Sequence, residues 1–202
     1  MRALLLAGFL GLVFVLILTP ILIRIFKKLD WGQVIRVDGP KSHHVKRGTP
    51  NMGGIAIIIS SVSGYFVAKA YNGEPPTYSA MLILFMMVGL GFVGFIDDFL
   101  KVRKQNSAGL PGIFKILGQV IVATVFAYAA ISNKDAAGLT PASTKISVFR
   151  DTGIDLMKLA PQTWGDVAIW IGVGAFLFWI FLIVTSASNG VNLTDGLDGL
   201  AT

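Results

Sequence analysis

The chain has 202 residues, of which 54% are hydrophobic and 14% charged, with 17 Lys and Arg against 11 Asp and Glu. This composition excludes an ordinary soluble domain and indicates an integral membrane protein, and the lack of cysteine excludes disulfides and thiolate metal sites. The net charge of +6 is typical of cytoplasmic loops, where Lys and Arg collect, and we therefore expect no nucleic-acid partner.

Five apolar segments are each long enough to cross a bilayer as a helix, which takes about 20 residues. They lie at residues 3–26, 53–71, 79–96, 113–131 and 167–186. These segments predict an all-α integral membrane protein with about five transmembrane helices in one polytopic domain, 1–202. A small external hairpin or helix is expected within 144–160. The first segment is too long for the core of a signal peptide, and we expect it to be retained.

The connecting loops differ in charge, and this difference predicts the orientation. The first loop and the loop after the third segment are rich in Lys and Arg, the 72–76 link has one acid and no base, and the 132–166 loop is balanced. Because Lys and Arg are retained in the cytoplasm, we expect the N-terminus outside and residues 27–52, 97–112 and 187–202 inside. The stretches with unusual polar chemistry then all lie on the cytoplasmic face.

The third apolar segment ends in two adjacent acids, Asp97 and Asp98, and the bases Lys101, Arg103 and Lys104 follow. Ionised groups at the end of a hydrophobic span are costly to desolvate and often have a function. A cation or a basic partner would relieve the repulsion between the two carboxylates. A solvated helix end explains the same residues, and the pair alone does not decide between these interpretations.

The first cytoplasmic loop combines Gly, Pro, Lys, Arg, His and hydroxyl side chains over residues 38–54. Glycines let backbone amides approach an oxyanion, and Lys46 and Arg47 add positive charge, so the loop suits the binding of an anionic group. A basic loop that touches anionic lipid headgroups is the alternative. His43 and His44 are adjacent, and because neighbouring side chains diverge, they are a poor metal signal.

The last cytoplasmic stretch, residues 188–200, places Asn192, Asp195 and Asp198 at intervals of three. That spacing puts polar groups on one side of a helical turn, where they can bind a sugar hydroxyl, a base edge or Mg²⁺ through oxygen. A pair of Asp-Gly turns is the alternative. Lys115, at the start of the fourth segment, suits a phosphate, or it is a lysine whose ammonium group snorkels to the interface.

Three motifs carry a family resemblance. They are GPKSH at 39–43 with RGTPNMGG at 47–54, GFIDDFLK at 94–101, and NGVNLTDGLDGLA at 189–201. Together they resemble the polyprenyl-phosphate N-acetylhexosamine-1-phosphate transferases, and the first motif points to the phospho-N-acetylmuramoyl-pentapeptide transferase branch. Asn51 stands where this branch usually has Thr, and Gly190 stands where it usually has Ala.

The resemblance implies transfer of phospho-MurNAc-pentapeptide from UDP-MurNAc-pentapeptide to undecaprenyl phosphate, which gives lipid I and UMP for peptidoglycan synthesis. It implies a multi-pass protein of the bacterial cytoplasmic membrane, surrounded by membrane lipid, with its active face in the cytoplasm, and it leaves a homodimer open. Mg²⁺ is the implied cofactor. The family has further helices that carry its main Mg²⁺-binding aspartate, so we expect that ligand beyond Thr202 and expect residues 1–202 alone to be inactive.

The resemblance also implies roles for individual residues. By motif position, Asp97 is the candidate for activating the lipid phosphate, as a base or by organising Mg²⁺, with Asp98 beside it. Asn192 and Asp195 are expected on the ribose and diphosphate side of the nucleotide. The other substrate-binding candidates are Lys46, Asn51 and Lys115 and, at the uracil end, Gly196, Leu197 and Asp198.

Other functions fit parts of this pattern. The nearest is the same reaction with UDP-N-acetylglucosamine as donor. A membrane transporter is a different class, since intramembrane acids and Gly-interrupted helices also mark transport sites. Against a transporter, the acids collect at one predicted face and the sequence has no evident inverted repeat. A non-catalytic binding or assembly module also stays open.

Overall fold

The structure, a computed structural model, describes residues 2–32, 49–50, 52–105, 109–135, 138–147 and 150–194. Its long helices are α1 Arg2–Lys28, α2 Gly54–Tyr71, α3 Tyr78–Lys104, α4 Gly112–Ser132 and α5 Asp166–Thr194. Within the described residues, these five helices are long and apolar enough to cross a membrane. The prediction of an all-α membrane protein with about five spans is confirmed.

The helices α3 and α5 continue well beyond the apolar runs that predicted them. The third run ends at residue 96, but α3 extends to Lys104 and therefore carries both Asp97 and Asp98. Basic side chains in its last turn stabilise the negative end of the helix dipole, and Gln105 ends the helix in the left-handed conformation, with φ of 49°. The fifth run ends at residue 186, but α5 extends to Thr194 and includes Asn192.

Residues Met1–Lys115 form one compact unit. Its helices α1 and α2 approach closely because small residues face each other. A Cβ atom on Gly64 would lie 2.8 Å from the backbone nitrogen of Gly11 and 2.9 Å from the carbonyl oxygen of Ala7. Small residues let membrane helices bring their backbones together without any apolar driving force between them. The pairing of α1 with α2 therefore depends on these positions staying small.

An apolar cluster joins the end of α1, the start of α2 and the end of α3 in this unit. Its buried members are Phe26, Met52 and Val102. Trp31 stacks on Phe26, with ring centroids 5.7 Å apart, and meets Phe99 edge-on at 5.4 Å. Gly32 and Pro50, on either side of the first loop, pair as an antiparallel bridge. These contacts fix the end of α3 that carries the two acids.

Residues Ile116–Thr202 form a second compact unit, which contains most of α4 and all of α5. Its described residues include an antiparallel hairpin of β1 Lys145–Ser147 and β2 Asp151–Asp155, followed by a 3₁₀ helix at Leu156–Lys158. The hairpin and short helix expected within 144–160 are therefore both present. Phe176, Ala127 and Leu156 form the buried core, so α5 packs against α4 and the 3₁₀ helix.

Candidate active site

Asp97 lies near the C-terminal end of α3, and its side chain is only 8% exposed. Oδ2 lies 2.7 Å from Nζ of Lys101, one turn later on the same helix. Oδ1 lies 3.0 Å from Nζ of Lys115 on α4 and accepts a hydrogen bond of 2.7 Å from the backbone N–H of Leu110. Both carboxylate oxygens thus have donors, as a buried acid requires.

Asp98 shares one of these lysines. Nζ of Lys101 lies 2.9 Å from Oδ1 of Asp98 as well as 2.7 Å from Asp97, so a single ammonium group bridges the two acids. The spacing of three and four residues along a helix makes this bridge possible. The bridging cation relieves the repulsion between adjacent carboxylates. We call the group formed by Asp97, Asp98, Lys101 and Lys115 the Asp97 cluster.

Gly109 lets the backbone approach this cluster. Its φ of +61° lies in the left-handed region that favours glycine. A Cβ atom built there would clash with Oδ1 of Asp97 and would lie 2.8 Å from Cε of Lys101. Glycine at this position therefore allows the next residue, Leu110, to donate its N–H to Asp97. The helix α4 then begins at Gly112 and presents Lys115 from its first turn.

The cluster suits an anionic ligand. Each lysine ammonium group has three N–H donors. Lys101 directs its ammonium group at both Asp97 and Asp98, and Lys115 directs its ammonium group at Asp97. Their side chains are 27% and 23% exposed, so the remaining donors are within reach of solvent. Asp97 fixes the two ammonium groups at one place, where phosphate oxygens could bind between them.

The contacts of Asp97 also show whether the described residues can bind a metal ion. Among the residues that the structure describes, there is no group of three or more His, Cys, Asp or Glu side chains that could hold a metal ion. The oxygens of Asp97 already face two ammonium groups and an amide N–H. The described residues therefore do not form a Mg²⁺ site by themselves.

Three of the predicted site residues, Asp97, Asp98 and Lys115, come together in the structure, and Lys115 points its ammonium group at Asp97. Asn192 lies near the end of α5, within the second unit. The other candidates fall outside the described residues: Lys46, Asn51, Asp195, Gly196, Leu197 and Asp198. Their roles stay predictions.

Sequence reasoning missed Lys101, Gly109 and Leu110 as members of the site. Lys101 had a usable signal, because it follows Asp97 by four residues and Asp98 by three. That spacing indicates contact only if the helix continues past the apolar run, and the prediction ended the span at residue 96. For Gly109 and Leu110 no sequence signal names Asp97 as the neighbour.

Comparison with known proteins defines the class. Residues 80–202, more than half of the chain, match the sequence profile of glycosyl transferase family 4. The chain belongs to this family. Residues 46–58 also match signature 1 of phospho-N-acetylmuramoyl-pentapeptide-transferase. This signature covers all of the second part of the first motif, residues 47–54, so the resemblance predicted from the sequence is confirmed.

Curated relatives agree with the signature. The chain is similar to proteins named phospho-N-acetylmuramoyl-pentapeptide-transferase from Clavibacter sepedonicus, Kineococcus radiotolerans and Streptomyces avermitilis, at 60%, 48% and 45% identity. Each match covers 100% of this chain, but only 54%, 54% and 52% of the relative. The chain spans about half the length of the curated relatives it matches.

Proposed function

We propose that the full-length protein transfers phospho-MurNAc-pentapeptide from UDP-MurNAc-pentapeptide to undecaprenyl phosphate and releases UMP. The observation that carries the proposal is the Asp97 cluster, a buried carboxylate held between two lysines at the end of a membrane helix. The match of residues 46–58 to the transferase signature supports the muramoyl donor, as do the names of the relatives.

The cluster fits the demands of phosphoryl transfer. Enzymes catalyse this reaction mainly by positioning the reacting groups and by stabilising charge. In the proposed mechanism, Lys101 and Lys115 bind phosphate oxygens, and Asp97 keeps both ammonium groups in place. A lipid phosphate is already largely ionised near neutral pH, so little proton removal is needed. Asp97 is thus better suited to orient the lysines than to act as a base.

The location at a helix end fits both substrates. One substrate is a bilayer lipid whose phosphate lies at the membrane surface, and the other is a soluble, anionic nucleotide. We place this surface on the cytoplasmic side of the bacterial cytoplasmic membrane. Basic residues at the ends of α1 and α3 support that orientation: Lys27, Lys28, Lys101, Arg103 and Lys104.

Mg²⁺ is the proposed cofactor, and when bound it would neutralise diphosphate charge. The described residues do not form its site by themselves. The nucleotide is proposed to bind Asn192 and the residues after it, namely Asp195, Gly196, Leu197 and Asp198. Lys46 and Asn51 are proposed to approach from the first loop.

The test is UMP release by the purified full-length protein in detergent or lipid vesicles. We expect release that requires both undecaprenyl phosphate and UDP-MurNAc-pentapeptide. Activity with UDP-N-acetylglucosamine alone would instead support the nearest alternative donor. Failure of the folded protein to release UMP from either donor would contradict the proposal and leave a transporter or an assembly module as the function.

A further inference from the structure

A second polar group lies between α4 and α5, within the unit Ile116–Thr202. Gln119 of α4 is only 4% exposed, and both ends of its carboxamide contact α5. Nε2 donates a hydrogen bond of 3.0 Å to Oγ of Ser188, and Oε1 accepts one of 3.2 Å from Nδ2 of Asn189. We call Gln119, Ser188 and Asn189 the Gln119 cluster.

This cluster is not explained by packing alone. Gln119 lies seven residues after the first residue of α4, which is about 10 Å along the helix. The other buried residues of α4 are apolar: Val122, Ala123, Ala127 and Ala130. An apolar side chain would fill the same position without desolvating a carboxamide. Hydrogen bonds between membrane helices add only modest stability, so stability alone does not account for a buried carboxamide at this position.

The contacts of Gln119 fix the rotation of α5. Ser188 and Asn189 are consecutive, so their side chains leave the helix about 100° apart. The side chain of Gln119 can therefore bond to both residues at only one rotation of α5 about its axis. Asn189 is held further, because its Nδ2 also donates to the carbonyl oxygen of Thr185 at 3.0 Å. Rotation of α5 would break this arrangement.

The rotation of α5 sets the position of its last turn. Asn192 follows Asn189 by three residues, which places it about 60° around the axis and about 4.5 Å further along. Residues three apart share one side of a helix. A change in the rotation of α5 at Asn189 would therefore move Asn192 by a similar angle.

We propose that Gln119 is a positioning residue that fixes the rotation of α5 and thereby the position of Asn192 on that helix. This inference rests on the proposed function, in which Asn192 binds the UDP part of the donor. Loss of the Gln119 contacts should therefore weaken binding of the nucleotide donor and leave binding of the lipid acceptor unchanged. Gln119 itself does not touch a substrate in this proposal.

The experiment compares variants of the full-length protein by steady-state UMP release, with each substrate varied in turn. Gln119→Leu removes both hydrogen bonds and should raise the KM for UDP-MurNAc-pentapeptide about 10- to 100-fold, the usual cost of losing a group that orients a functional residue. The KM for undecaprenyl phosphate should change by less than about twofold. Gln119→Glu should recover most of the loss, because burial favours the protonated carboxyl, which keeps one O–H donor for Ser188 and one acceptor for Asn189.

Thr124→Val is the matched control, since Thr124 is an exposed polar residue of the same helix, and this variant should behave as wild type. Thermal unfolding of each variant separates positioning from folding. If Gln119→Leu does not fold, Ser188→Ala removes one of the two contacts and should raise the KM for the donor alone, by a smaller factor.

Two results would overturn the inference. One is an unchanged KM for the donor in folded Gln119→Leu. The other is an equal rise in both KM values with no recovery in Gln119→Glu, which would indicate a purely structural role. Absence of UMP release by the wild-type protein would instead refute the proposed function, so the two failures are distinguishable.

Discussion

The Asp97 cluster and the Gln119 cluster both place polar side chains within helices that are apolar enough to cross a membrane. The Asp97 cluster is built from charged groups, and its lysines stay 27% and 23% exposed. The Gln119 cluster is neutral, and its central residue is 4% exposed. Charged groups open to solvent suit an anionic substrate, whereas an enclosed neutral network suits the fixing of a helix. In our proposals, the Asp97 cluster therefore serves the chemistry and the Gln119 cluster serves positioning.

The largest expected effect is at Asp97. Asp97→Asn keeps the shape and can still accept the N–H of Leu110, but it removes the charge that holds Lys101 and Lys115 together. We expect kcat for UMP release to fall on the order of 10²- to 10³-fold, as when a preorganised electrostatic group is lost. Glu74→Gln is the control, because it removes an acid that pairs with Lys69 outside the cluster, and it should leave kcat unchanged.

A smaller loss is expected at the bridging lysine. Lys101→Met keeps the aliphatic stem of the side chain but leaves Asp97 and Asp98 without their shared cation. The two carboxylates then repel each other and Asp97 moves, so we expect kcat to fall about 10- to 100-fold. Lys104→Met removes an exposed charge from the same turn of α3. Equal kcat values for the two variants would show that only the net positive charge of this surface matters.

The approach of Gly109 to Asp97 gives a third test. Gly109→Ala should lower the free energy of unfolding by about 1 kcal/mol, because alanine is strained at a positive φ. It should also lower kcat, because the added methyl group displaces Asp97. Gly73→Ala is matched in φ, +64° against +61°, but its added Cβ meets nothing within 4 Å. It should lose similar stability and keep its kcat. Loss of kcat in both variants would contradict a specific contact at Gly109.

The smallest effect concerns the hairpin in the second unit, away from both clusters in sequence. The hydrogen bond from Oγ1 of Thr144, 2.8 Å from Oδ1, is the main cause that holds the pKa of Asp155 below its ordinary value of 3.8. Because the pKa is lowered in the folded state, Asp155 stabilises the hairpin above pH 3.8, and this contribution is lost as the pH falls through the lowered pKa.

Hydrogen exchange can measure that loss at the amide of Leu156, which donates to the carbonyl oxygen of Thr144 at 3.0 Å. The protection factor of this amide should be constant above pH 3.8 and should fall as the pH drops below 3.8. In Asp155→Asn it should be lower at pH 5 and should lose most of this pH dependence. A pH dependence that persists in Asp155→Asn would show that another group is responsible.

The predictions from sequence succeeded where one local property decides the outcome. Apolar runs of sufficient length identified the five membrane helices, because crossing a bilayer requires little else. Adjacent acids at the end of such a run made Asp97 and Asp98 candidates; the structure shows that Lys101 contacts both, and their role stays a prediction. The helix ends were less predictable, since hydropathy falls at the first charge while α3 continues through ion pairs between its own residues.

Contacts between distant residues lay beyond sequence reasoning. Gln119 is a single amide in an apolar run, and its partners Ser188 and Asn189 lie 69 and 70 residues away. Gly109 indicates a turn, but nothing in the sequence names Asp97 as the side chain that it approaches. Both depend on how helices pack, which a single sequence leaves open.

The most direct test of the central claim compares Asp97→Asn and Gln119→Leu in the same full-length protein, with kcat and the KM for UDP-MurNAc-pentapeptide measured for each. We predict that Asp97→Asn loses kcat with little change in this KM, and that Gln119→Leu raises this KM while kcat is largely kept. If both variants change the same parameter by similar factors, the division between a charged site for chemistry and a neutral site for positioning is wrong.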